Sequence, residues 1–530
     1  MFLAGVVLLV VATPSLVAHG LGDAVRSVSW RFPLVAAIVL ALAIGLAHVA
    51  SVAFRSRSRW LALDLAAALA VFLLAASSLR RLEAASALVT GQFLGTMAAL
   101  ATIPALWIAS AVQVTRGRTD LQRGHRAQSI ALWSMLGTLA LAMTGFSSWY
   151  VAADVADLAR VWARPAPRGS WLALAGTPPG KSEIMARFLY DLESHASIRL
   201  ANGWQTVTHF SGDGTRAVWL QRTTGDGPIE VAYVDLAKAD RSPRTSTISF
   251  PSTKRILTDL SPSGRRLATL QGTSFGVHDV ETGAIVAAFT LETEPAWGKA
   301  EVGFVDDGRV RVLVEGATLV AHEIDLTTRH RSSWTVPGTR GWGIRWDRRH
   351  DRMLIPSNEP GEVLLVEGGS GETLARLPVV RAGSGSHCGF LGDGRVAGIG
   401  SKEGGGVQLD VYSERGERQT SFELDPLRGN DWYWIGPQPS AGTLLVGKYR
   451  ARNPDAVGGD PDQLILLSLS TGARREVQGQ DERIGGFYWG AQSYPVEPGT
   501  LASRLLQGNQ TAWLLDPETV TVRKVMGQEK

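Results

Sequence analysis

Residues Ala175-Gly176-Thr177-Pro178-Pro179-Gly180-Lys181-Ser182 meet the relaxed pattern of a phosphate-binding loop and close an apolar run that starts at Trp171. In such a loop the glycines let backbone N–H groups cradle phosphates at a helix start, and the Lys reaches the terminal phosphates. Ala replaces the first Gly here, and the chain downstream reads as short strands and turns where a nucleotide domain would alternate strands with long helices. The segment is therefore expected to be a hairpin that holds no nucleotide. Gly272-Thr273-Ser274-Phe275-Gly276 matches the G-x-S-x-G elbow of serine hydrolases, which needs a strand before the Ser and a helix after it. Val277-His278-Asp279-Val280 follows and reads as another strand, so a hairpin is expected here too.

Metal chemistry has little to build on. His387-Cys388 contains the only cysteine, with no spaced Cys or His partners for zinc, and it reads as a buried strand residue. The Asp-Gly turns lack the regular acidic spacing of a calcium loop, and their Asp residues are expected to cap turns by bonding their own backbone. No catalytic set, cofactor or metal site is predicted. The stretch from Tyr449 to Asp462, with Arg450, Arg452, Asp455, Asp460 and Asp462, and the stretch 490–499, with Tyr494, exceed what short turns need. Long loops on a rigid scaffold are where binding resides, so these are the candidate binding loops. Trp432, Tyr433 and Trp434 read as an exposed aromatic cluster, though propeller cores also take such residues.

Two further polar residues, His48 and Asp64, fall within apolar segments, where a charge is costly and functional by default. Both sit near the ends of their segments, where they reach water or pair with each other.

Those segments lie at roughly 2–19, 33–54, 60–79, 86–113 and 129–151, each near the 20 or so apolar residues a membrane span requires. Residues 1–163 carry 12 Arg, no Lys and 6 acidic residues, whereas the remainder is almost neutral, with 41 basic and 43 acidic. A basic excess confined to short loops speaks for membrane topology and against nucleic acid. Arg55, Arg57 and Arg59, then Arg116, Arg118, Arg123 and Arg126, outnumber the four Arg of the alternate loops. With five spans this bias puts the N-terminus in the cytoplasm and residue 152 onward outside it. Trp30, Trp60, Trp149 and Tyr150 mark span edges, and Gly91 and Gly95 form a G-x-x-x-G that would let helices approach closely.

From residue 164 the pattern changes. A turn leading into an apolar strand recurs at 169, 214, 264, 308, 351, 394, 442 and 499, at spacings of 45, 50, 44, 43, 43, 48 and 57. Between these, strands close on polar turns such as Tyr233-Val234-Asp235-Leu236, Glu323-Ile324-Asp325-Leu326 and Leu467-Ser468-Leu469-Ser470-Thr471-Gly472. A period in the mid-forties with several strands per unit is what a propeller blade needs. Ser261-Pro262-Ser263-Gly264-Arg265-Arg266-Leu267-Ala268 and His278-Asp279-Val280-Glu281-Thr282-Gly283 resemble WD-repeat and TolB-type propellers, though the Trp-Asp dipeptide usual at the end of a WD repeat is missing from the expected positions.

The expected architecture is thus a transmembrane domain, 1–163, with five helices, and an exocytoplasmic all-β propeller, 164–530, of eight blades, with seven the alternative. The expected role is an extracytoplasmic binding or scaffold module in the plasma membrane, accessory to a transport or envelope complex. Its partners would be the lipid bilayer and a protein on the propeller face. The rival readings are a permease-like transporter subunit, which would use His48 and Asp64, and a quinoprotein-like propeller enzyme, which rests on fold analogy alone.

Overall fold

The computed structural model describes residues 31–526 apart from short connecting stretches, chiefly 57–59, 85–87, 117–119, 179–184, 223–228, 249–255, 337–343, 380–387, 402–405, 427–431, 451–459 and 479–496. The chain divides into two compact units, a helical one within residues 1–153 and a β unit from residue 154 onward.

The helical unit contains α1 (Arg31–Ser56), α2 (Trp60–Ala84), α3 (Leu88–Arg116) and α4 (Leu121–Val151). The expected first span, 2–19, lies outside the described residues. Three helical stretches, Trp60–Leu82, Thr90–Arg116 and Leu121–Val151, are long and apolar enough to cross a membrane. Their polarity is turned inside out. Leu65, Leu69, Leu73, Phe93, Trp107, Leu141 and Trp149 are exposed, while Ser56, Ser78, His125, Gln128 and Ser147 are buried.

Helix α4 starts eight residues ahead of the apolar segment beginning at 129, because Asp120 caps it: its Oδ1 accepts the N–H groups of Gln122 at 2.8 Å and Arg123 at 3.2 Å. Among the described helix glycines, the tightest contact is not at the G-x-x-x-G. A Cβ on Gly91 or Gly95 would make only ordinary contact with α2, whereas one on Gly45 of α1 would meet Leu106 of α3 at 3.1 Å.

The β unit is an eight-bladed propeller. Eight antiparallel sheets follow one another along the chain at 160–199, 204–248, 256–290, 300–336, 345–378, 388–424, 432–476 and 505–526. Sheets 1 and 3 to 7 are four-stranded meanders, and sheet 2 splits its first strand in two. Sheet 8 has three strands among the described residues. Its anchor, Gly499, precedes its first strand, so those three match the second to fourth strands elsewhere.

Seven of the eight turn anchors, Gly169, Gly214, Gly264, Asp351, Gly394, Gly442 and Gly499, adopt positive φ. A left-handed residue is what reverses the chain between first and second strands, and Gly adopts it without cost. The polar turns that close the third strands also form as expected. Asp279 Oδ1 accepts the N–H groups of Glu281 and Thr282, and Asp325 Oδ1 those of Thr327 and Thr328.

Hydrophobic clusters occupy the seven successive interfaces from sheet 1/sheet 2 to sheet 7/sheet 8. The two-residue period of a strand explains this. In Glu362–Glu367, Leu364 and Val366 pack toward sheet 4, while Val363 and Leu365 pack toward sheet 6. A second or third strand is therefore apolar on both faces. Outermost strands such as Arg418–Leu424 are mostly exposed. Trp434 and Tyr433 follow the same rule in opposite directions, at 7 % and 3 % exposure. They are core residues, which corrects their reading as an exposed cluster. Trp432 shares their strand.

The ring closes between sheets 8 and 1. Strand Arg160–Pro165 contacts strands Leu505–Gln507 and Ala512–Asp516. Arg168 grips Glu497 through Nη2 to Oε1 at 2.8 Å and Nε to Oε2 at 3.3 Å.

Candidate functional site

Antiparallel order fixes which loops share a face. Turns between first and second strands, and between third and fourth, emerge on one face of the ring, and turns between second and third strands emerge on the other. The phosphate-loop-like segment belongs to the second group. Trp171–Thr177 is a strand, and Ala186–Asp191 returns antiparallel to it with Gly176 opposite Ala186. The serine-elbow-like segment is a two-residue hairpin. Gln271 pairs with Ser274 around Gly272, whose φ is +57°, and strand Ser274–Asp279 follows where an elbow needs a helix.

The first candidate binding loop extends the corresponding hairpin of sheet 7. Its strands, Thr443–Arg450 and Asp460–Ser468, bring Arg450 opposite Asp460 in register, beyond a bulge at Lys448/Tyr449. Asp462 lies on the second of these strands. Arg452, Asp455 and Tyr494 lie outside the described residues. Cys388 opens strand Cys388–Phe390 and is buried, and burial pushes its thiol up to about 11 against the opposing charge of Arg345. Such a thiol stays protonated and inert. Among the described residues no group of three metal-ligating side chains occurs.

The face carrying the first-to-second turns holds an open groove of about 510 Å³, lined chiefly by Arg352, Asp393, Arg395, Glu414, Arg415 and Glu417. Arg352, at the start of the second strand of sheet 5, gives Nη2 to Glu414 Oε2 at 2.9 Å, while its buried Nη1 has no partner among the described residues. Arg395 holds Asp393 through Nε and Nη2 at 2.9 and 2.8 Å. Burial would raise the Asp393 carboxyl, but the Arg395 guanidinium and N–H overcome it and hold it below the usual range. Three guanidiniums and three carboxylates in an open groove suit a charged polypeptide surface better than an apolar small molecule. No motif in the chain announces this groove, because its residues come from three turns.

Buried charges elsewhere in the ring join sheets together. Asp259 Oδ2, in sheet 3, accepts from Arg348 Nη1 of the sheet 5 turn at 2.6 Å and from the Phe304 N–H of sheet 4 at 2.9 Å. His209 of sheet 2 bonds Thr258 through Nε2 at 2.9 Å. Burial, reinforced by the charges of Arg164 and Arg348, pushes this His well below its ordinary range, so it is neutral at pH 7.

In the helical unit Asp64 does not pair with His48. His48 is exposed on α1. Asp64 Oδ2 instead meets His125 Nε2 at 2.7 Å, and its Oδ1 accepts the Trp133 indole N–H at 2.7 Å. His125 Nδ1 lies 2.8 Å from Ser56 Oγ. His125 escaped notice because Arg123, Arg126 and Gln128 around it lower the hydropathy of the first turns of α4. The Asp120 cap was the available signal.

No protein-family model matches the chain, and no curated protein does. Among solved structures, the WD40 domain of SCAP from fission yeast is 10% identical over 62% of this chain and 89% of that chain, with a TM-score of 0.40. BamB from Moraxella catarrhalis is 15% identical over 71% and 96%, with a TM-score of 0.35. A prolyl endopeptidase is 12% identical over 60% and 50%, with a TM-score of 0.38, so the chain spans half the length of that protein.

Proposed function

We propose that this protein is a membrane-anchored propeller that binds a protein partner through the ring face bearing the Arg352–Glu417 groove. The observation that carries the reading is the groove itself: paired and unpaired charges gathered from the turns of sheets 5 and 6. The outward Leu, Phe and Trp side chains of α2 to α4 support a lipid environment for the helical unit. The arginine bias of the loops supports placing the ring outside the cytoplasm.

A photo-crosslinking residue at Gln419, on the groove edge, tests the reading in native membranes. One reproducible adduct is expected, abolished by the charge reversals Glu414→Arg and Arg415→Glu. Adducts that survive both reversals unchanged would refute it. A reporter at Lys530 tests the sidedness separately and should be active only outside the cytoplasm.

A further inference from the structure

We propose that Asp64 and His125 form a proton-exchange site joining α1, α2 and α4. Hydrogen-bond accounting leads to it. Ser56 has one hydroxyl proton, and its Oγ lies 2.9 Å from the Ala53 carbonyl and 2.8 Å from His125 Nδ1. A carbonyl only accepts, so in the pattern where the hydroxyl donates to Ala53, His125 donates from Nδ1. The Nε2–Asp64 contact then contains a second proton, on the ring or on the carboxyl. Without it the ring keeps one proton on Nε2, and the Ser56 hydroxyl turns from Ala53 to Nδ1. The site thus has two proton counts, each with a complete hydrogen-bond pattern, and the change between them is a hydroxyl rotation at the last residue of α1. A fixed ion pair has no such second pattern.

The surroundings are polar. Gln128, one turn beyond His125 on the same face of α4, is 1 % exposed, and neither its Oε1 nor its Nε2 has a partner among the described residues. It adds uncommitted donors and acceptors next to the imidazole. Among the described residues the charged groups at this end are Arg55 of α1, Asp64 of α2, Arg116 of α3, and the Asp120 cap, Arg123 and Arg126 of α4. The Arg126 guanidinium lies 5.2 Å from the Trp60 ring of α2. The Ser–His–Asp order also invites a nucleophile reading. Ser56 is 5 % exposed, however, and in the state with the extra proton the ring nitrogen facing it has no lone pair to accept its hydrogen.

The inference is independent of what the propeller binds. It is tested on the intact protein in lipid nanodiscs, with ¹⁵N-labelled His and Trp, the His125 and Trp133 signals being identified through His125→Gln and Trp133→Phe. Both signals are expected to titrate with one midpoint, since the indole N–H bonds the same carboxylate. Asp64→Asn should uncouple the two, so that the His125 and Trp133 signals no longer change together. His125 and Trp133 signals that stay fixed while other histidines of the sample titrate would overturn the proposal. So would covalent capture of Ser56 by a fluorophosphonate, which would make it a nucleophile.

Discussion

The guanidinium of Arg311 lies 4.9 Å from the ring of Trp346, and no part of its side chain is exposed. Arg348 lies 4.9 Å from the same ring, so one indole takes cations from sheet 4 and from the sheet 5 turn. Arg311 also forks onto Asp351 through Nη1 at 2.7 Å and Nη2 at 3.1 Å, and it bonds Glu323. Asp351 is a left-handed turn anchor, with φ +48°. A strained turn of sheet 5 is thereby pinned by a side chain of sheet 4.

Arg311→Met should destabilise the propeller by about 2–4 kcal/mol, because it leaves two carboxylates without their buried partner. Arg311→Lys should recover only part of this, since an ammonium cannot form the two-pronged contact. Urea denaturation followed by tryptophan fluorescence measures both. Equal stability of Met and Lys variants with the parent would show that the fork contributes nothing.

Gly303 faces the other half of this ladder. A Cβ there would sit on the Arg348 guanidinium and the Trp346 ring. Gly303→Ala should push Arg348 from Asp259 and cost about 1–3 kcal/mol by overpacking. Arg348→Met in the same background should add little, because the pair is already broken. A full additive loss in the double variant would contradict this.

How much of this was legible beforehand differs by level. The turn anchors and third-strand caps were readable because a left-handed turn demands Gly and an Asp turn demands Asp, and both are local requirements. Sheet-to-sheet charges such as Arg311–Asp351 were not, since they join residues 40 apart whose strands carry no charge signal of their own. Trp434 and Tyr433 looked exposed only because a strand buried on both faces lacks polar alternation. In the helical unit, hydropathy placed helices α1 to α4 but cut α4 short at the polar turns that carry His125, so Asp64 was matched to His48.

The helix contacts can be ranked in the same way. Gly45→Val should disrupt packing of α1 on α3, since its Cβ alone would meet Leu106 at 3.1 Å. Gly91→Ala meets only Leu82 Cβ at 3.7 Å and should stabilise the helix by up to about 1 kcal/mol. Thermal unfolding followed by far-ultraviolet dichroism of the intact protein distinguishes them. Equal loss in both would mean that the G-x-x-x-G is the close contact after all.

Cys388 offers a probe of the sheet 5/sheet 6 interface. With its thiol pushed up to about 11 by burial, the native protein should react with iodoacetamide at mildly alkaline pH about a hundredfold more slowly than the denatured chain. Mass spectrometry after timed quenching measures it. Native labelling as fast as in denaturant would mean that this interface is open.

Ring closure should depend on acid. Glu497 is held below its ordinary range first by the hydrogen bond from Arg168 and then by the charges of Arg168 and Arg349, against the effect of burial. Its folded value is depressed, so its stabilisation is present above the unfolded carboxyl value of about 4.3 and is lost as pH falls through the lower folded value. Glu497→Gln should therefore be less stable than the parent at neutral pH and equal to it in strong acid, where both side chains are uncharged. The effect is small, since both partners are substantially exposed, at 59% for Arg168 and 41% for Glu497. Urea midpoints of parent and variant across the acid range measure it. A constant difference at every pH would show that the Gln acts through packing and that the ion pair does not close the ring.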